Sequence, residues 1–136
     1  DIKFQIIGDG SMSNIISTEI KKRDLTNITL SGHVSFEKLQ SFISKTDAII
    51  MTSISENYPI VLIEAIANRK KVLVPSISCF TTLDIPNLVY FFKDNELKNQ
   101  INSLFWDEDD ELRAFEFLQS IDFSDIENRL LSFTSL

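Results

Sequence analysis

The chain has 136 residues, of which 43% are hydrophobic and 24% charged, a balance typical of a soluble globular protein with one core. The formal net charge of −7 disfavours nucleic-acid binding, which needs clustered cations against the phosphates. One cysteine, Cys79, and one histidine, His33, exclude an internal disulfide and supply too few ligands for a zinc site, and the single thiol fits a reducing compartment such as the cytoplasm.

Short apolar runs alternate with amphipathic stretches in the first part of the chain. The pattern predicts strand, helix, strand, helix and strand at residues 3–8, 12–22, 27–30, 35–44 and 48–51. The turn Gly8-Asp9-Gly10 closes the first strand and Gly32 closes the second. Ser35 is a suitable N-cap for the second helix.

The second part predicts a helix that starts at Pro59, the residue type that suits the first helical position, and ends near Asn68. Further strands are predicted at 72–75 and 88–92, and helical segments at 97–106, 110–120 and after Ser124. Strands that alternate with helices predict an α/β fold with a doubly wound parallel sheet of the Rossmann-like type. Because no linker interrupts the pattern, residues 1–136 are expected to form a single domain. The chain begins in a strand-like run without a Met, so we expect it to be part of a longer protein.

The segment Pro59–Ala67 is apolar on nearly every helical face except at Glu64. Such a helix is expected to be buried all round, and a charge inside it is costly unless a partner or a polar cavity compensates. A second acid, Glu56, lies eight positions earlier, ahead of the helix start. The spacing favours a binding site at the helix start. The structural alternative is a loop acid and a core acid that pairs with Lys71 or Lys45.

Three polar segments follow predicted strands: Gly8-Asp9-Gly10, Gly32-His33 and residues 53–58. Ligands of doubly wound sheets bind at the carboxyl ends of the strands. The helix N-termini that start there carry free N–H groups suited to phosphate. We therefore expect the binding site at this edge.

Four ordered segments resemble the C-terminal, nucleotide-sugar-binding domain of GT-B glycosyltransferases of the retaining, family 4 type. They are residues 6–10, 28–34, 47–53 and 56–67. The resemblance implies a GT-B C-terminal domain truncated at its N-terminal strand–helix unit, which in the family carries an Arg and a Lys against the diphosphate. It implies a cytoplasmic enzyme of glycan or lipid-linked saccharide synthesis, and leaves open peripheral contact of the full-length protein with the inner face of the membrane. The piece alone is expected to be inactive.

The resemblance also implies roles for individual residues. Glu56 would contact hydroxyls of the donor sugar as the candidate catalytic residue, and Glu64 would accept hydrogen bonds from the ribose hydroxyls. The nucleobase would lie near His33 and Val34. Close approach of the ligand to the backbone would be allowed by Gly8 and Gly10. The diphosphate would meet the backbone at the helix start, from Asn57 and Tyr58 through Ile60, Val61 and Leu62.

No metal or other cofactor is expected from this resemblance. The expected partners are the nucleotide-sugar donor and the N-terminal acceptor domain, which lies outside this chain, and no nucleic acid. The acidic run Asp107–Glu111 could attract a hard cation. Its place before a helical stretch favours a simpler role, because acids stabilise a helix N-terminus.

The chain departs from the family pattern at Asn57 and Arg69, where Gly is usual, and at Lys71, where Pro is usual. A later glycine-containing loop is replaced by residues 76–82. These differences leave open a non-catalytic glycosyltransferase-like subunit that partners an active enzyme. A nucleotide-binding or receiver-type regulatory module is a further alternative, although the strand end Met51-Thr-Ser53 offers no phospho-acceptor Asp.

Overall fold

The computed structural model describes residues 2–55, 60–77, 80, 88–93, 100–101, 104 and 106–121. The chain divides into two compact units, Asp1–Phe42 and Ile43–Leu136. In each unit the described strands pair in parallel and alternate with helices, which confirms the predicted α/β class. Within these described ranges, no helix has the length and apolar character needed to cross a membrane.

The first unit contains β1 (Phe4–Ile6), α1 (Ser13–Lys22), β2 (Ile28–Leu30) and most of α2 (Phe36–Lys45). β1 and β2 pair in parallel, with Phe4 opposite Ile28. Parallel neighbours need a crossover connection, and α1 supplies it. α1 ends at Lys22, and Asp24, two residues further on, takes a left-handed conformation with φ of 51°. The next amide, that of Leu25, donates back to the Ile20 carbonyl over 3.0 Å and closes the last turn.

The second unit contains β3 (Ala48–Ile50), α3 (Ile60–Ala67), β4 (Lys71–Pro75), β5 (Val89–Phe92) and α4 (Glu108–Ser120). The three strands form a parallel sheet in the order β3-β4-β5. In the central strand, Val72, Leu73 and Val74 have no solvent exposure. A parallel strand covered on both faces needs apolar side chains on both, which explains its unbroken hydrophobic run.

The core of the second unit forms where α3 and α4 pack against the sheet. α3 contributes Leu62, Ala65 and Ile66, all of them buried. The opposite flank of α3 is accessible, because Ile60 is 39% exposed and Glu64 is only half-buried. The expectation of burial all round is therefore wrong. Neighbouring elements cover α3 on one side, and Ile60 and Glu64 share the other flank at the i, i+4 spacing of a helix face.

The predicted elements agree with the structure to within about two residues, the usual uncertainty of an element boundary. α4 begins at Glu108 instead of Asp110, because Asp107 is its N-cap. The Asp107 side chain accepts from the Asp110 amide over 2.9 Å, and the Asp110 side chain accepts from the Asp107 amide over 2.9 Å. The role of the acidic run at a helix N-terminus is confirmed. The predictions for Pro59, for most of 97–106 and for the segment after Ser124 lie outside the described residues.

Candidate functional site

The loops after β1 and β2 lie side by side in the first unit. The Gly8 amide donates to the Gly32 carbonyl over 2.8 Å. Gly8 has φ of 126° and Gly32 has φ of 62°, backbone conformations that side chains other than hydrogen strongly disfavour. The two polar turns singled out from the sequence therefore meet at the carboxyl edge of these strands, where the parallel topology puts binding sites.

Asp9 organises the turn between β1 and α1. Its Oδ1 accepts from the Ser13 hydroxyl over 2.7 Å and from the Gly10 amide over 2.8 Å. The hydrogen bond from Ser13, followed by that from Gly10 and the nearby His33, lowers the pKa of Asp9 below its ordinary value. Sequence reasoning missed Ser13. The spacing Asp-x-x-x-Ser at a strand-to-helix turn was the signal that could have found it.

A cavity of about 360 Å³ opens beside this turn. Its wall combines the backbone of the glycine turns with apolar side chains, chiefly Ile6, Met12, Ile16 and Leu30. A Cβ added to Gly8, Gly10 or Gly32 would meet no atom within 4 Å. The predicted residues Gly8 and Gly10 thus face open space that a ligand could fill. His33, which is exposed, and Val34, which is half-buried, lie outside the lining of this cavity as the described residues form it.

The second predicted part of the site is α3. Its first turn is described from Ile60, followed by Val61 and Leu62. The amides of a first helical turn have no acceptor within the helix and are available to a ligand. Since the Leu62 side chain is fully buried, that residue can offer only its backbone. The predicted residues Glu56, Asn57 and Tyr58 lie outside the described residues.

Glu64 is not the partner of Lys71. The Lys71 ammonium lies 2.9 Å from the Asp110 carboxylate, so the structural alternative that paired it with Glu64 is wrong. Lys45 is exposed, and among the described residues no ion pair joins it to Glu64. The Glu64 backbone carbonyl accepts from the amide and the side chain of Asn68, at 3.1 and 2.8 Å. The residue itself is half-buried and shares the accessible flank of α3 with Ile60.

α3 ends in a turn whose geometry would suit glycine at position 69. The Arg69 amide donates to the Ile66 carbonyl and the Lys70 amide donates to the Ala65 carbonyl, both over 2.9 Å. These two bonds form a Schellman motif, which needs a left-handed residue at its centre. Arg69 holds that conformation, with φ of 59°, and its guanidinium pairs with Glu111.

Lys71 and Asp110 are the buried charged residues of the described chain. Burial is the strongest influence on both groups and disfavours their charged forms. Their mutual hydrogen bond, together with those from Lys71 to Tyr90 and from the Asp107 amide to Asp110, outweighs burial. The pKa of Lys71 is therefore raised and the pKa of Asp110 is lowered. Across the described ranges, no three His, Cys, Asp or Glu side chains group as a metal site.

The fold is that of a known family. The sequence profile of the family Glycosyl transferases group 1 matches residues 1–115, and the chain belongs to this family. It is also similar to an uncharacterized glycosyltransferase of Methanocaldococcus jannaschii, with 34% identity over 73 residues. That match covers 54% of this chain and 21% of the relative, so the matched segment spans about a fifth of that protein's length.

Solved structures of glycosyltransferases share the fold. A TarM variant of S. aureus, solved with Fondaparinux, alpha-GlcNAc-glycerol and UDP, matches with a TM-score of 0.73 and 20% identity, over 96% of this chain and 28% of that one. The pneumococcal O-GlcNAc transferase GtfA, solved with UDP and GlcNAc, matches with a TM-score of 0.56 and 20% identity, over 86% of this chain and 22% of that one. These matches and the family profile confirm the resemblance and the α/β GT-B fold class.

Proposed function

We propose that this chain is the donor-binding part of a retaining glycosyltransferase, which transfers a sugar from a nucleoside diphosphate for glycan or lipid-linked saccharide synthesis. The observation that carries the proposal is the open cavity against Gly8 and Gly10 at the carboxyl edge of parallel strands, in a member of this family. UDP in the structures of TarM and GtfA supports a nucleoside diphosphate as the ligand class.

In this proposal the start of α3 receives the diphosphate. The backbone N–H groups of Tyr58 and of Ile60 to Leu62 would donate to the phosphate oxygens, and the same dipoles would stabilise the charge that develops on the departing diphosphate. No metal ion is needed for this part of the chemistry. Glu56 contacts the donor sugar as the catalytic residue, and the nucleobase lies near His33 and Val34.

Glu64 receives the ribose hydroxyls in this proposal. A carboxylate accepts hydrogen bonds without donating any, so it matches a pair of vicinal hydroxyls. Its half-buried position on the accessible flank of α3 supports this role, because a ligand can reach it while apolar neighbours limit competition from water.

We assign catalysis to the full-length protein. The matched segment covers 21% of the curated relative, so we propose that the full-length protein also contains a separate acceptor domain and a preceding strand–helix unit, beside which residues 1–136 form a single domain. A cytoplasmic location, with peripheral contact at the inner membrane face, is part of the same proposal.

The proposal is tested with the full-length protein, a panel of UDP- and GDP-sugars, and glycan and lipid-linked saccharides as acceptors. We expect release of nucleoside diphosphate and a product whose anomeric configuration, read by magnetic resonance, matches that of the donor. Glu56→Ala should abolish transfer, whereas Glu116→Gln, at an exposed position of α4, should leave it intact. Transfer with inversion, or transfer that survives the loss of Glu56, would contradict the assignment.

The second candidate is a non-catalytic glycosyltransferase-like subunit, which the departures from the family pattern favour. Two of the family departures, Arg69 and Lys71, are each engaged in an ion pair with α4, so they have a structural use in this chain. Asn57 and the loop 76–82 are the departures that still favour a subunit without catalysis. Nucleotide binding by the full-length protein without transfer to any acceptor would select this candidate.

A further inference from the structure

The buried pair of Lys71 and Asp110 is held from several sides. Nζ lies 2.9 Å from Oδ2, and the two side chains are 6% and 0% exposed. Nζ also donates to the Tyr90 hydroxyl over 3.3 Å and lies 5.5 Å from the centroid of that ring. The ammonium therefore has an anion, a hydroxyl and an aromatic face as partners in a site closed to water.

The Asp110 carboxylate is fixed from its own helix as well. Its Oδ2 also accepts from the Asp107 amide over 2.9 Å, and its Oδ1 accepts from Arg113 over 3.2 Å. Both oxygens are thus used, and one orientation of the side chain satisfies all the donors. Any shift of α4 along the sheet would leave at least one buried charge without a partner.

A second ion pair joins the same two segments. Arg69, at the end of α3, pairs with Glu111, the residue that follows Asp110. One turn further along α4, Ala114 lies in the core cluster with Leu62 and Ala65 of α3. The first turns of α4 therefore contact α3 at its C-terminal end and through its buried face. We call Arg69, Lys71, Asp110 and Glu111 the clasp.

The energetics of buried ion pairs indicate that the pair of Lys71 and Asp110 fixes the position of α4 and adds little net stability. Replacing such a pair by apolar side chains of similar volume is often neutral or stabilising, because the cost of removing two charges from water offsets their attraction. Removing one partner is strongly destabilising, because the other charge stays buried and unpaired. On this argument, the pair specifies one arrangement of α4 against β4.

We propose that the clasp is a positioning element for α3: it sets the register of α4 against the α3–β4 turn and so holds the helix at which the donor is proposed to bind. The role of the clasp in donor binding rests on the proposed function. Its role in fixing the position of α4 against α3 is independent of that proposal.

The test uses the full-length protein with Lys71→Met and Asp110→Leu combined. Arg113 stays satisfied in this variant, since it also lies 3.7 Å from the exposed Asp109. We expect a folded protein whose melting temperature falls only by the loss of the acceptor for the Asp107 amide, faster hydrogen exchange of the α3 amides relative to those of α1, and UDP affinity weakened about fivefold. The matched control is Asp109→Asn, whose side chain is 84% exposed, and it should move none of the three.

Unchanged α3 exchange in a folded double variant overturns the proposal. If that variant fails to fold, Asp110→Glu replaces it, because the charge is kept while the side chain is lengthened. It should also speed α3 exchange selectively, and unchanged exchange there overturns the proposal too. A wild-type protein that binds no UDP or GDP defeats the proposed function alone, because the exchange of α3 amides is measured without nucleotide.

Discussion

The Gly8 amide and the Gly32 carbonyl are joined by a hydrogen bond of 2.8 Å. The bond ties together the loops that follow the two strands of the first unit. Both glycines have positive φ, so the bond depends on backbone conformations that few other residues tolerate. The backbone of these turns forms part of the cavity wall and leaves room beside it for a ligand.

Replacing Gly32 with Ala should destabilise the fold by about 1 to 2 kcal/mol, because a Cβ is unfavourable at its φ of 62°. Gly10→Ala is the matched control. Gly10 does not have positive φ, and its added Cβ would meet nothing within 4 Å. Urea denaturation should therefore give Gly10→Ala an unfolding free energy close to that of the wild type. Equal losses in the two variants would contradict this account of the turn.

Gly10→Ala should also weaken UDP or GDP binding by the full-length protein, although it spares stability. The new methyl group would project into the open space where the proposed ligand approaches the backbone. Calorimetric titration of wild type and variant gives the comparison. Unaltered affinity would show that this turn is not part of the binding site.

Arg69→Gly should be more stable than Arg69→Ala by about 1 kcal/mol, because glycine alone takes the left-handed conformation without a Cβ penalty. Both variants lose the ion pair with Glu111, so their difference isolates the backbone effect. The ion pair is exposed, and its loss in Arg69→Ala should cost less than about 1 kcal/mol. Thermal and urea unfolding measure both differences. A glycine variant no more stable than the alanine variant would show that this turn carries no conformational strain.

The buried pair predicts two pH limits of stability. The folded pKa of Asp110 is lowered from 3.8, so its contribution is full above that value and is lost as pH falls through the lower folded pKa. The folded pKa of Lys71 is raised from 10.5, so its contribution is full below that value and is lost as pH rises through the higher folded pKa. Unfolding free energy should therefore fall beyond both limits.

The Lys71→Met and Asp110→Leu double variant is the control for this pH dependence, because many other carboxylates also titrate in acid. The difference in unfolding free energy between wild type and double variant should be flat between the two limits. Outside the two pH limits, this difference should shift in favour of the double variant, because only the wild type has an ion pair to lose. A difference that stays constant into acid would contradict the lowered pKa of Asp110.

Local patterns predicted most of the fold. The apolar run at 72–75 predicted the strand that the structure shows as β4, and the glycine turns predicted the carboxyl edge at which they lie. The half-buried position of Glu64 could not be read from the composition of α3, because it depends on which flank the sheet and α4 cover. The sequence could not identify the partner of Lys71 either. Several acids had the right charge, and the choice of Asp110 follows from the packing of α4.

We propose above all that Glu64, on the accessible flank of α3, accepts hydrogen bonds from the ribose hydroxyls of a bound nucleoside diphosphate. The most direct measurement is calorimetric titration of the full-length protein with UDP and GDP, for wild type, Glu64→Gln and the control Glu116→Gln. We predict that the wild type and the control bind one of the two nucleotides equally well. Glu64→Gln should bind about tenfold more weakly, the equivalent of a lost hydrogen bond to a charged group, at an unchanged melting temperature. Equal affinity in wild type and Glu64→Gln, or no binding of either nucleotide by the wild type, would contradict the claim.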